Sequence, residues 1–297
     1  MFPAWNAQAM MKYNSANPAT RCIVCGGSLR PSRIAGLLEC EGCRFTTADL
    51  CIPEEDLRQL YTARYFAGEE YRDYLGDRPV IEKQSRLRVR RLLKHVQHPE
   101  RKRMFEIGCA YGFFLSVARK TFLSVEGFDV STEATEYASR VLGLNAHGED
   151  FLKYQFSSLP EVICMWDTIE HLRRPDLYIE RAAGVLPRGG FLALTTSDLD
   201  SLVARIRGSK WRQIHPPTHL HYFSRATLQR LLRRYGFEVK EISTEGVYRS
   251  LDTMAYIVLC LKWKQSALYA RVRKTGFLNW DLFLDLRDIV FVVAEKR

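Results

Sequence analysis

From residue 103 onward, short apolar runs alternate with stretches of helical periodicity, and this alternation confines the chain to an α/β architecture. Arg103–Ile107 reads as a strand and Gly112–Lys120 as a helix. Val125–Val130 is a second strand, followed by a helix over Ser131–Leu142 and a short third strand over Ala146–Glu149. Val162–Thr168 and Phe191–Thr196 are apolar runs of the kind buried on both faces, with a helix over Pro175–Val185 between them. Ser224–Tyr235 is a helix, Phe237–Ile242 a strand, and Ile289–Ala294 a closing β-branched run. Strand and helix in this order predict a mostly parallel sheet with helices on both faces.

Composition supports a packed chain. Hydrophobic residues are 46% and charged residues 26% of the 297, enough to bury a sizeable core, which excludes a wholly disordered protein. The net charge of +10 admits RNA, anionic lipid or phosphorylated partners, and is equally the mark of a solvated basic surface. The longest strongly apolar run, Met254–Leu261, is far short of the ~20 residues a spanning helix needs. The first twenty residues lack a basic region followed by an apolar stretch, which argues against a secretory signal. The expected location is therefore the cytoplasm, where thiols stay reduced.

Ahead of the alternating region, residues 1–20 read as a flexible tail and residues 21–52 as a cysteine-rich module. Cys22-x-x-Cys25 and Cys40-x-x-Cys43 stand fourteen residues apart. Two such pairs point four thiolates at one ion from two tight turns, which predicts a structural zinc ribbon. Four thiolates leave zinc no open position, so no catalysis is expected there. Cys51 is a spare thiol without an assigned role. Residues 53–102 read as an aromatic and basic helical linker. Its helix, Ile81–His98, carries Lys83, Arg86, Arg88, Arg90, Arg91 and Lys94, read as a solvated face, with an RNA or phosphate track as the alternative.

The sharpest segment is Phe105-Glu106-Ile107-Gly108-Cys109-Ala110-Tyr111-Gly112. A strand ends in an acidic residue, and two glycines bracket a turn into a helix, where small residues let the backbone approach a ligand. The glycine spacing does not fit the dinucleotide fingerprint. The pattern E-x-G-x-A-x-G resembles motif I of class I S-adenosylmethionine (SAM) methyltransferases, with Ala110 in place of the middle glycine. Asp129 follows the second strand, 21 residues after Gly108, and Val130 stands beside it. Asp150 and Phe151 follow the third strand, and Trp166-Asp167-Thr168-Ile169-Glu170-His171 ends the fourth. Leu186-Pro187-Arg188-Gly189-Gly190 precedes the fifth. The stretch His215-Pro216-Pro217-Thr218-His219-Leu220-His221-Tyr222-Phe223-Ser224 then leads into a helix. This block resembles the ubiquinone-O-methyltransferase-like branch of that family, over about residues 61–244. Read singly, Asp129 also suits a helix N-terminus, Asp150 a turn, and Gly112 mere packing.

The resemblance implies a Rossmann-like, seven-stranded, mostly parallel sheet over residues 103–297, preceded by the small zinc ribbon. It implies SAM as cofactor, held by Glu106, Gly108, Cys109, Ala110, Tyr111, Gly112, Asp129, Val130, Asp150, Phe151, Trp166 and Asp167. Asp129 is the expected ribose ligand, and Asp150 with Phe151 the expected partners of the adenine edge and face. Methyl transfer to a hydroxyl needs an aligned acceptor and a base, and histidine suits neutral pH. His171, just past the fourth strand, is the expected base or acceptor-orienting group, with structural packing as the alternative. His219 and His221 are the next catalytic candidates. His215-x-x-x-His219-x-His221 also has the look of a metal cluster. Pro216 and Pro217 break helical spacing, however, and no carboxylate is near in sequence, so a substrate-facing loop without catalytic metal is expected. Trp211 and Arg212 are expected at the same mouth. Residues 245–287, rich in aromatic and basic residues, read as a helical lid over the acceptor pocket, with a membrane-surface helix over 254–274 as the alternative.

Three functions follow. The leading one is O-methylation of a small-molecule or glycan acceptor. The second is an rRNA or tRNA methyltransferase that grips RNA with the ribbon and the basic helix, against which stands the lack of an Asn/Asp-Pro-Pro-Tyr-type motif after the fourth strand. The third is a non-catalytic SAM-binding adaptor.

Overall fold

The computed structural model describes residues 21–50 and 73–297, together with Ile52, Pro53, Asp56, Leu57 and Leu60. The expected tail (1–20), Cys51 and much of the stretch 54–72 lie outside the described residues.

The N-terminal module is a small antiparallel sheet of β1 (Leu29–Pro31), β2 (Leu37–Cys40) and β3 (Thr46–Ala48). Helix α1 (Arg78–Leu92) follows. The alternating region then runs β4 (Arg103–Ile107), α2 (Phe113–Ala118), β5 (Ser124–Phe128), α3 (Thr132–Arg140), β6 (Asn145–His147), β7 (Val162–Trp166), α4 (Pro175–Val185) and β8 (Phe191–Ser197). After α5 (Leu202–Arg207) come a two-residue strand β9 (His221–Tyr222), α6 (Arg225–Arg234) and β10 (Phe237–Thr244). Residues 245–287 hold β11 (Val247–Ser250), α7 (Leu251–Ala255) running into a π-helical stretch (Tyr256–Lys262), α8 (Ser266–Lys274) and β12 (Asp281–Leu284). Strand β13 (Ile289–Lys296) closes the chain.

The main sheet has seven strands in the order β10-β13-β8-β7-β4-β5-β6. The β6, β5, β4, β7 and β8 strands are parallel to their neighbours, while β13 pairs antiparallel with both β8 and β10. Central strands β7 and β8 are buried along their whole length, as their unbroken apolar runs require. Edge strand β10 alternates apolar and polar residues and carries an irregularity between Val239 and Glu241.

Period-two alternation sorts the strand side chains onto two cores. Phe105, Ile107, Ile163, Met165, Leu192 and Leu194 pack on one side with α4 and α6. Met104, Cys164, Trp166 and Ala193 pack on the other with α1, α2 and α3. Helix ends follow local chemistry. Ser131 accepts from Ala134 N at the start of α3, and Ser224 with Thr227 forms a capping box at the start of α6.

Three local expectations are corrected. Helix α1 starts and ends earlier than the sequence periodicity indicates. It is also not a simple solvated basic face: Arg86, Arg90 and Lys94 are exposed, but Arg88 is buried and Arg91 half-buried. Trp211 lines no mouth, being 1% exposed with its indole donating to Asp288. The segment 245–287 is not purely helical, because β11 and β12 pair and bracket its helices. It leaves Trp263, Phe277 and Trp280 exposed. Among the described residues, no helix is long and apolar enough to cross a membrane.

The cysteine-rich module joins the rest of the fold by strand pairing. Strand β3 pairs antiparallel with β9, so one four-stranded sheet, β1-β2-β3-β9, spans both parts of the chain. Cys22, Val24, Cys40 and Phe45 enter the core on the α4/α6 side, and Arg234 of α6 donates to the Ile23 carbonyl.

Candidate active site

The carboxyl ends of β4, β5 and β7 converge on one edge of the sheet, where ligands bind in folds of this kind. Gly108, Ala110 and Gly112 all have positive φ, at 78°, 45° and 76°. A Cβ at Gly108 would sit 2.4 Å from Thr168 Oγ1, and one at Gly112 2.7 Å from a Leu144 methyl. Both positions therefore demand glycine, whereas Ala110 tolerates the left-handed region at some cost in strain. The turn is fastened by Asp129, whose carboxylate accepts from Ala110 N at 2.8 Å and from Ser131 N at 2.9 Å. Cys109 is buried at its base, and Tyr111 packs among Tyr74, Phe113 and Tyr137.

Glu106 lies at 3% exposure, and its Oε2 has no hydrogen-bond partner among the described residues. Burial raises its carboxyl well above the usual range, with the Arg88 charge opposing. Arg88 reaches in from α1 and forks between two acids. Its Nη2 is 2.6 Å from Asp167 Oδ2 and 2.7 Å from Glu245 Oε2. Asp167, at φ 50°, is held further by Thr195, whose hydroxyl donates to Oδ1 and accepts from the Asp167 amide. Burial pushes the Asp167 carboxyl up, but Arg88 and Thr195 outweigh it and keep it below its ordinary value. Trp166 sits under this group, stacked on Phe291, with the Arg88 guanidinium 5.1 Å from its ring.

Around the corner of the same edge, Glu170, His171 and His219 come together. His171 Nδ1 is 2.8 Å from the Thr218 carbonyl, and His219 Nδ1 is 2.9 Å from the Gln213 carbonyl. A carbonyl only accepts, so each Nδ1 carries the proton and each Nε2 the lone pair. The His171 and His219 rings are edge to face at 4.6 Å, and His215 lies 3.9 Å from His219. Burial lowers all three histidines below their ordinary value, and the neighbouring rings add to this for His215 and His219. Glu170 is 3% exposed, and burial, reinforced by the Asp167 charge, pushes its carboxyl up to about 8. His221 lies apart from this group: its Nδ1 is 3.1 Å from Thr47 Oγ1 of the cysteine module.

A family profile described as "Methyltransferase domain" matches residues 79–242, more than half of the chain. The chain belongs to this family. The methyltransferase has no match among curated proteins. Its fold is similar to that of magnesium protoporphyrin IX methyltransferase from Synechocystis PCC 6803 with bound SAH, at TM-score 0.53 and 13% identity, covering 82% of this chain and 100% of that one. It is also similar to a candidate methyltransferase from Bacillus halodurans C-125 (0.53, 12%, 70% and 98%) and to the YcgJ protein from Bacillus subtilis (0.52, 14%, 72% and 98%). At these identities the likeness speaks for the fold.

The sequence-derived cofactor and metal positions are spread over several places in the methyltransferase. Glu106, Gly108, Cys109, Ala110, Tyr111, Gly112, Asp129, Trp166 and Asp167 gather at the ends of β4, β5 and β7. Val130 is 41% exposed at the rim. Asp150 accepts from the Tyr178 hydroxyl at 2.8 Å, while Phe151 is 1% exposed and packs on Phe128. Cys22, Cys25, Cys40 and Cys43 present sulfurs within 4.8 Å of one another. Sequence reasoning missed Arg88 and Glu245. A signal for Arg88 existed: it falls on the buried i, i+4 row Val80, Gln84, Arg88, Leu92 of α1.

Proposed function

We propose that this methyltransferase transfers the methyl group of SAM to a hydroxyl of a small molecule or glycan, with His171 as the base or acceptor-orienting group. The reading rests on one observation above all. His171 stands at the carboxyl edge beside Asp167, with its Nδ1 proton fixed on the Thr218 carbonyl, which makes Nε2 the basic nitrogen of the ring.

The residues present fit SAM. Glu106 offers a buried oxygen without a donor among the described residues, and the Gly108 turn leaves a cradle that a Cβ would fill. Glu106, Asp167 and the Gly108–Gly112 turn suit the methionine end, and Asp129 the ribose. Asp129 accepts backbone N–H groups on both oxygens and has acceptor capacity left for a hydroxyl. Asp150 and Phe151 are assigned to the adenine end. Bound there, SAM supplies an activated methyl with its own leaving group. The protein's part is to align the acceptor oxygen and exclude water, with His171 as base or orienting group and residues 245–287 as the cover. His219 supports His171, and His221 is assigned to anchoring the histidine loop on the ribbon.

The four cysteines fit a structural zinc ion. Tetrahedral sulfurs about 2.3 Å from zinc stand about 3.8 Å apart. Cys22 and Cys43 are 3.5 Å apart and Cys25 and Cys40 3.4 Å. The proposed division is a ribbon over 21–52, a linker over 53–102 and the catalytic domain over 103–297.

The test is methyl transfer from radiolabelled SAM into an extract of the source cells, fractionated with and without ribonuclease. Label in a small-molecule or glycan fraction, insensitive to ribonuclease, is the expected result. Label in RNA would replace this reading with the RNA-modifying one. SAM binding without transfer of label into any fraction would favour the adaptor.

A further inference from the structure

The sequence gives no reason to connect Glu170 with a histidine 49 positions away, yet the fold makes them neighbours. Glu170 and His171 leave the end of β7 as consecutive residues. The chain 215–224 returns along this edge, and Leu220 N and His221 N both donate to the Glu170 carbonyl, at 2.9 and 3.2 Å. That pairing sets His219 over the pair. One ligand atom from each of Glu170, His171 and His219 lies within 4.8 Å of the others.

We propose that Glu170, His171 and His219 bind a first-row divalent transition-metal ion, with an open coordination position for an oxygen of the acceptor. This deepens the O-methyl-transfer reading, on which its functional half rests. It makes His171 an acceptor-orienting ligand.

Three independent features of the side chains carry the proposal. First, the donor set is two imidazoles and one carboxylate, the mixed N/O set that suits Mn, Fe, Co, Ni or Zn, rather than the all-oxygen set of Mg or Ca. Second, both imidazoles are oriented as ligating histidines are. Each donates Nδ1–H to a backbone carbonyl, which fixes the tautomer and aims the Nε2 lone pair. Third, Glu170 Oε2 is buried, and beyond a weak contact of the carboxyl with the Thr196 hydroxyl it has no hydrogen-bond partner among the described residues. A buried carboxylate oxygen left unsatisfied is costly, and a cation satisfies it. Three protein ligands leave positions open for a further oxygen, the arrangement of reactive rather than structural metal sites. The four-cysteine cluster is the opposite case, closed and all sulfur, so the two sites can be told apart by spectroscopy.

The experiment titrates Co2+ into the full-length, zinc-loaded protein, read by visible absorption and by X-ray absorption at the cobalt edge. The expected result is one equivalent of bound Co2+ with a nitrogen/oxygen first shell and no thiolate-to-cobalt charge-transfer band. Glu170→Gln and His219→Gln should each weaken this binding roughly tenfold or more. Their melting profiles and SAM binding identify any variant that fails to fold. The wild-type cobalt shell, which needs no variant, decides the matter in that event. No Co2+ uptake at millimolar concentration, or uptake only with the thiolate signature, overturns the proposal. Unchanged affinity in both folded variants does so too. None of these readouts requires an acceptor. Methyl transfer without metal binding would therefore remove the site and leave the proposed function standing. Loss of SAM binding and transfer with cobalt uptake intact would do the reverse.

Discussion

Arg88 Nη2 lies 2.6 Å from Asp167 Oδ2 while the same atom lies 2.7 Å from Glu245 Oε2, so one guanidinium from α1 ties the end of β7 to the start of the 245–287 segment. The Glu245 side chain is 0% exposed, with Arg88 on Oε2 and Arg91 Nη1 3.9 Å from Oε1, and Arg88 is its close ion-pair partner. The bridge links the 245–287 segment to the strand end that carries Asp167.

Arg88→Met should therefore destabilise the protein by about 3–5 kcal/mol, since it strands a buried carboxylate. Adding Glu245→Leu should recover much of this, because an apolar pair of similar volume is often no worse than a buried ion pair. Denaturant titration of the single and double variants measures both. A double variant no more stable than Arg88→Met would mean that the ion pair is not the source of the loss.

Gly108 and Gly143 offer a matched comparison. Both have positive φ, but a Cβ at Gly108 meets Thr168 at 2.4 Å whereas nothing lies within 4 Å of one at Gly143. Gly143→Ala should cost about 1 kcal/mol of backbone strain and leave SAM affinity unchanged. Gly108→Ala must move Thr168 or the turn itself and should weaken SAM binding tenfold or more, as read by calorimetry. Equal SAM affinity in the two variants would remove the turn from the cofactor site.

The contrast shows what the sequence could and could not convey. The sheet, its helices and the glycine turn were legible because their signals are local: period two, period 3.6 and the chemistry of positive φ. The third strand was displaced, with Asn145–His147 observed against Ala146–Glu149 expected, because a three-residue edge strand has little periodicity to read. Arg88 reads as surface because charge in a helix normally marks the solvated side, and only its two acids, 79 and 157 residues away, explain its burial. The nearness of Glu170 to His219 was invisible for the same reason. In the sequence Glu170 adjoins His171, and no carboxylate stands near the histidine block. Only the return of 215–224 along the sheet edge unites them.

Glu241 predicts an acid-sensitive contact between α1 and β10. Burial pushes its carboxyl up, but hydrogen bonds from Arg91, His95 and Ser243 outweigh it and hold it down to about 2. A carboxyl whose folded value lies below its unfolded value, about 4.3, stabilises the fold above that pH and loses its contribution as pH falls toward the folded value. Melting temperature should therefore fall between about pH 4.5 and 2.5 more steeply in the wild type than in Glu241→Gln. Parallel curves would show that this contact does not contribute to acid sensitivity.

The ribbon and the histidine loop should respond to metal as one unit. Strand β3 pairs with β9 through Thr46 with Tyr222 and Thr47 with His221, and Ala48 N donates to the Leu220 carbonyl at 2.8 Å. The Thr47 hydroxyl also donates to that carbonyl at 3.0 Å, and Phe45 packs on His221 and Phe223. The three-stranded module is too small to hold this geometry from its own core, so the proposed zinc ion is expected to hold it. Stripping zinc with a chelator, or replacing Cys40 by Ser, should thus speed amide exchange in 37–48 and in 215–224 together, while strands β7 and β8 stay protected. Thr47→Val keeps the ribbon and removes one hydroxyl, so it should cost about 1 kcal/mol and speed exchange in 215–224 alone. Exchange mass spectrometry of the intact chain separates these segments. Faster exchange confined to 37–48 after zinc removal would show that the ribbon is a passenger, and that His219 and His221 are held by the sheet edge without it.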